Sequence, residues 1–197
     1  MAKRTRDLKK RVFDAAWEIV ETKGVEELNA RRLAEMSGCA LGSLYTVFES
    51  FLDLKLQINA AILNRFHGAI QKALEKGITE EKGPKDCLKR LGLAYVAFGE
   101  SNKHLWKALF EHLPYESMPE WYVKHTRDGI QKLCQRFSVA FHVPPKEARR
   151  AIGFYWAAIH GMTAICLNQK TATIAELIGS DSLEPYLNYC LDGLKNM

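Results

Sequence analysis

Apolar residues recur at three- and four-residue spacing along almost the whole chain. No run of alternating apolar and polar residues bounded by turn signals interrupts them, so the pattern predicts an all-α protein. The first helix is expected over about Thr5 to Lys23, where Leu8, Val12, Ala15 or Ala16 and Ile19 form one stripe that Phe13, Trp17 and Val20 widen. Gly24 supplies a left-handed stop. Asn29 is placed to cap a short second helix, Ala30 to Met36; Ser37-Gly38-Cys39 breaks it, and a third short helix, Leu41 to Val47, follows at once. Two short helices separated by a brief turn that contains glycine have the spacing of a helix-turn-helix.

Ser50 can cap a long fourth helix running to about Lys76, roughly 40 Å at 1.5 Å per residue, a rod long enough to join two domains. A boundary therefore falls near residue 50, with a helix-turn-helix domain over 1–50 and a second domain over 51–197. Gly77 to Lys85 reads as a loop, and Pro84 opens a fifth helix to about Glu100. Asn102 caps a sixth to Leu113, Pro119 opens a seventh to about His142, and Pro144-Pro145 opens an eighth to about Gln169. A short helix is expected near Thr173 to Ile178, and a last one from about Ser182 carries Leu183, Leu187, Leu191 and Leu194 on one side.

Composition adds little until charge is placed along the chain. With 197 residues, 47% hydrophobic and 26% charged, the sequence is ordinary for a globular protein and excludes disorder and collagen-like repeats. Its formal charge of +5 is concentrated: Lys3, Arg4, Arg6, Lys9, Lys10 and Arg11 face one acid, Asp7, within the first eleven positions, so the rest of the chain balances. A basic arm leading into an amphipathic helix suits contact with a phosphate backbone, and equally suits a solvated terminus. No apolar stretch follows the arm as a secretory signal would require, which points to the cytoplasm. The five cysteines form no C-x-x-C pair, and neither they nor the six histidines have metal-site spacing; no metal and no cofactor is expected. Residues 151–169 carry no Asp, Glu, Lys or Arg, but hold His160, Thr163, Asn168, Gln169 and two glycines, so a buried helix is expected there rather than a membrane span.

Positions 24–54 resemble the DNA-binding domain of TetR (tetracycline-repressor-like) regulators. Gly24, Ala34, Gly38, Gly42, Leu44, Tyr45, Phe48, Ser50 and Leu54 match that family's pattern outright, without a gap, and Asn29, Leu33, Ser37, Cys39 and Ser43 replace residues of similar size or hydrogen-bonding role. The departures are chemical. Ala40 stands where a serine would cap the recognition helix, Val47 replaces histidine, and Phe51-Leu52 replaces a Lys-Glu pair whose lysine the resemblance would place on a phosphate.

The resemblance implies a double-stranded DNA operator as partner. Residues 40–48 contain no Arg or Lys, so bidentate contact with guanine has to come from Arg31 or Arg32, and Arg31 is favoured because Arg32 occupies a position that is usually a surface charge in the family. Leu41, Ser43, Thr46 and Val47 can touch base edges and thymine methyls, and Gly42 keeps the helix close to the groove. The resemblance places Asn29 and Tyr45 against phosphate oxygens, where they set register; Lys3, Arg4 and Arg6 join them from the arm.

The C-terminal part resembles, more weakly, the WHG effector domain carried by some TetR-type regulators, on LWKALFEHLP (105–114), PEWYVKH (119–125) and FYWAAIHG (154–161). That resemblance implies pairing of the last two long helices with those of a second copy. Gly153, Ala157 and Gly161 form a small-residue stripe that admits a close helix, and with Leu183, Leu187, Leu191 and Leu194 they are the expected homodimer surface. Trp106, Phe110, Trp121, Tyr122, Trp156 and His160 either line a pocket for an apolar or aromatic small-molecule effector or pack the core. No nucleophile, base and orienting group occur as a unit, so no enzyme is expected. The expected function is a ligand-responsive repressor on a palindromic operator; a regulator of the same fold without a small-molecule effector is the alternative.

Overall fold

The computed structural model describes residues 2–110, 118–177 and 184–193. Among them there are helices and turns but no strand. The helices are α1 (Ala2–Lys23), α2 (Ala30–Met36), α3 (Leu41–Leu44), α4 (Phe51–Thr79), α5 (Pro84–Ser101), α6 (Lys103–Phe110), α7 (Glu120–Phe141), α8 (Pro145–Leu167), α9 (Ala172–Leu177) and α10 (Glu184–Gly193). The chain divides into two compact units, one made of Met1–Asn64 and Asn102–Thr126, the other of Arg65–Ser101 and Arg127–Met197.

In the first unit α1 buries Val12, Ala16, Ile19 and Val20, the stripe expected from the sequence, and packs against α2 and α6. Leu33 of α2, Leu44 of α3, Phe48, and Leu54 and Ile62 of α4 complete this core with Leu105 and Trp106 of α6. Gly24 ends α1 as expected, at φ 96° with its N–H on Val20 O (3.2 Å). At this φ a side chain is strained whatever the space around it, which is why glycine stands here. Between α2 and α3, Gly38 takes φ 62° and donates to Glu35 O, which turns the chain within three residues.

Two element ends differ from the sequence reading, each for a local reason. The third helix stops at Leu44 rather than Val47. Its cap, Ala40, offers no side-chain oxygen, and the hydroxyl of Thr46 takes the carbonyl of Ser43 (2.7 Å), so the turn tightens instead of propagating. At the other end of α4, Gly77 is helical rather than the start of a loop. A side chain at Gly77 would meet Cys87 Sγ at 2.5 Å and Arg90 Cδ at 3.3 Å, so this glycine serves close packing of α4 on α5, and the chain turns three residues later than expected.

In the second unit α5 packs on α8 and α10, and α8 on α10. The crossing is close at Gly92, where an added Cβ would lie 2.7 Å from Tyr155 Oη, 2.9 Å from Ile159 Cδ1 and 3.0 Å from Leu187 Cδ2. Tyr95 and Phe98 of α5 meet Phe66 edge-on at 5.3 and 5.2 Å. A two-pronged ion pair, Arg136 Nε and Nη2 on Glu75 (2.5 and 2.7 Å), ties α7 to α4 within this unit. The charge-free stretch falls mostly in α8, whose Ile152, Tyr155, Ile159 and Thr163 are buried. Among the described residues no helix is long and apolar enough to cross a membrane, and no group of His, Cys, Asp and Glu could hold a metal ion.

Candidate nucleic-acid interface

The α2–turn–α3 segment separates its side chains by face. Leu44 and Phe48 point into the core, while Leu41 and Tyr45 are 46% and 55% exposed, Gly42 and Thr46 are exposed, and Ser43 and Val47 are half-buried. Leu44 and Phe48, four apart, share the buried side, and 41, 42, 45 and 46 are left exposed around them. A side chain at Gly42 would meet nothing within 4 Å of its own chain, so the smallness of this position serves no internal packing.

Asn29 caps α2 as the sequence suggests: Oδ1 accepts the N–H of Arg32 (3.0 Å), and Nδ2 donates to the carbonyl of Glu27 (3.3 Å). Arg31 is exposed and has no side-chain hydrogen bond or ion pair among the described residues. Arg32 differs: its guanidinium is ion-paired with the carboxylate of Glu27. Glu27 was invisible to sequence reasoning, since a five-residue separation across a helix cap has no periodic signature.

Lys3, Arg4 and Arg6 are exposed, but the arm is not a tail leading into a helix; it is the first turns of α1, which begins at Ala2. Lys9, a further basic residue of this helix, lies 5.0 Å from the centroid of the Phe48 ring, so α1 meets the segment that follows α3. At the start of α4 the expected cap is present. Ser50 Oγ accepts the N–H of Asp53 (2.9 Å) and Asp53 Oδ2 accepts that of Glu49 (3.3 Å).

The six aromatic and histidine candidates for an effector site fall into separate places. Trp106 is fully buried in the first unit, 5.3 Å from the Phe110 ring. Trp121 is 42% exposed and meets Tyr122 edge-on. Tyr122 Oη donates to Asn59 Oδ1 (2.8 Å), whose Nδ2 donates to Ala108 O (2.9 Å), and burial pushes the phenol's pKa up. Also in this unit, an open cavity of about 450 Å³ is lined by Lys9, Val47, Glu49, Asp53, Gln57 and Trp121, which takes in only one of the six candidates. In the second unit Trp156 stacks on His160 (centroids 5.3 Å apart, planes at 23°), and His160 Nδ1 shares a hydrogen bond with Tyr95 Oη (2.7 Å).

For the expected dimer surface, Gly153, Ala157 and Gly161 are exposed along α8, in line with Phe154 and Trp156, which are 50% and 45% exposed. Leu187 and Leu191 are not surface residues: each is only 3% exposed, packed within their own unit where α10 meets α5 and α8. These two leucines are thus covered by their own chain, because a short helix must bury its apolar side somewhere and α5 offers Gly92 to Leu187. Leu183 and Leu194 lie outside the described residues.

No family model matches the chain, and no curated protein matches it. Solved structures do. A protein of unknown function from Rhodococcus sp. RHA1 superposes with a TM-score of 0.70 at 20% identity, over 95% of this chain and 93% of that one. A TetR transcriptional regulator from the same organism gives 0.62 at 19% identity over 97% of both chains. The multidrug binding protein EbrR, solved with imidazole, gives 0.62 at 18% identity over 94% and 93%; a structure of EbrR with malachite green also matches, at 0.58. The protein has the all-α fold of TetR-type transcriptional regulators.

Proposed function

We propose that this protein is a TetR-type transcriptional regulator that binds a palindromic operator as a homodimer and leaves it when a small molecule binds. The observation that carries the reading is the two-sided α2–turn–α3 segment, with Leu44 and Phe48 holding it to the core while Leu41, Gly42, Tyr45, Thr46 and Arg31 are exposed. In this reading Arg31 supplies the guanine contact, Ser43, Thr46, Leu41 and Val47 meet base edges, and Asn29, Tyr45, Lys3, Arg4 and Arg6 meet phosphates. A two-fold dimer through the exposed Gly153, Ala157 and Gly161 side of α8 presents two such readers about 34–36 Å apart, one turn of the duplex.

Release is a shift between two spacings of the readers, and the effector must bind the DNA-incompetent one more tightly, since equal affinity shifts nothing. The complexes of the structural neighbour EbrR with imidazole and malachite green support a small-molecule effector. The complete burial of Trp106 favours the second reading, a regulator of this fold with a closed core and no effector. A thermal-shift screen with apolar and aromatic compounds separates them: the first reading requires a ligand that raises the melting temperature and releases DNA.

The test of DNA recognition is selection of bound fragments from random DNA by the wild type and by Arg31→Ala. An inverted repeat is expected, with the variant weaker by about 1–3 kcal/mol and relaxed at one position per half-site. A monomer that enriches no inverted repeat refutes the proposal.

A further inference from the structure

Two arginines stand side by side at the start of α2, yet their surroundings differ. Arg31 is exposed and without an ion pair among the described residues, whereas the Arg32 guanidinium is held by the Glu27 carboxylate. The holding geometry is built into the cap. Asn29 bonds the backbone on both sides of itself, accepting from Arg32 N and donating to Glu27 O, and so fixes the two residues whose side chains pair. The 3-10 turn Val25–Glu27, with Leu28 N on Val25 O (3.2 Å) and Val25 buried, anchors the Glu27 end.

A paired guanidinium does not act as a free cation. To reach a phosphate, Arg32 would have to break its pair with Glu27 and leave that carboxylate bare beside the negative duplex, so the contact gains less than a free guanidinium's would. From this pairing we infer that Glu27 is a specificity-setting residue: it withholds Arg32 from DNA, so that Arg31 is the only guanidinium α2 presents. The inference rests on the DNA-binding reading above. The recognition segment, 40–48, has no cation of its own, so the division of labour between Arg31 and Arg32 decides what charge this part of the chain offers a duplex. Sequence-independent attraction is thereby held down, and the guanidinium that remains is the one available to read a base.

The experiment measures operator and scrambled-duplex affinity across a salt series for wild type, Glu27→Gln, Arg32→Met and Arg31→Met. Glu27 and Arg32 side chains are 54% and 33% exposed, so neutralising either leaves the fold in place, and melting curves verify it. Glu27→Gln frees Arg32 and is expected to tighten binding to operator and scrambled DNA alike. The slope of log K against log salt should steepen by about 0.9 per subunit, about twice that for a dimer. Arg32→Met should leave the slope and the ranking of operator variants unchanged, while Arg31→Met reorders that ranking at one position. A flatter slope or a reordered ranking in Arg32→Met would show Arg32 already on the DNA, and an unchanged slope in Glu27→Gln would show that Glu27 withholds nothing; either overturns the inference while DNA binding by the wild type stands. Failure of the wild type to prefer any duplex overturns the DNA-binding reading itself, and this inference with it.

Discussion

Replacing Gly153 and Gly161 of α8 by alanine has opposite consequences for an isolated chain and for a pair. In the chain itself a Cβ at either position meets nothing within 4 Å, so the methyl groups fit without movement. Glycine inside a helix costs about 0.8–1.0 kcal/mol relative to alanine, and the double variant should therefore stabilise the single chain by up to about 2 kcal/mol. At this size that raises the melting temperature by about 2–4 °C per kcal/mol. If α8 meets its symmetry mate through this stripe, every substitution appears twice across the two-fold axis, and methyl groups in a close helix contact force strain of about 1–3 kcal/mol. Each 1.4 kcal/mol weakens the dimer by about tenfold. Sedimentation equilibrium of wild type and double variant, with melts at matched concentrations, reads both quantities. The expected result is a weaker dimer made of more stable subunits. A dimer as tight as the wild type's, with the melting temperature raised, would refute the assignment of this stripe to the interface.

Other predictions use different contacts. Gly92→Ala places a methyl between Tyr155, Ile159 and Leu187 at distances of 2.7 to 3.0 Å, from two helices at once, and should destabilise the second unit by about 1–3 kcal/mol despite the better helix propensity of alanine; an unchanged denaturation midpoint would contradict the packing. Deleting residues 1–6 removes Lys3, Arg4 and Arg6 and should lower DNA affinity and flatten its salt dependence, whereas an unchanged slope would take the first turns of α1 out of the interface. Burial holds the His160 imidazole below its ordinary pKa of 6.5, so the folded chain takes up a proton less readily than the unfolded one. The contribution of this group is complete above the unfolded value and is lost as pH falls through the lower folded value. Acid melts should show that loss below about pH 6.5, and His160→Gln should remove it; identical pH profiles would exclude the histidine as its source.

The helices were legible along the chain because burying one side of a helix imposes a spacing, and Val12, Ala16, Ile19, Leu54 and Ile62 keep it wherever they pack. Local chemistry was equally readable: Gly24 as a stop, Asn29 and Ser50 as caps, and Gly38 in the turn all act through bonds to residues a few positions away.

What the tertiary structure decided were questions of partners. Leu187 and Leu191 show a stripe that any apolar surface could cover, and only the approach of α5 at Gly92 determines that their own chain covers it. Gly77 looked like a loop residue because a glycine's need for space against Cys87 and Arg90 leaves no mark in sequence. Arg31 and Arg32 are the same residue type at adjacent positions, and what distinguishes them is a carboxylate from across a helix cap. Periodicity reports how a segment meets its surroundings on average, whereas the identity of the opposing atom depends on how distant segments are brought together in space.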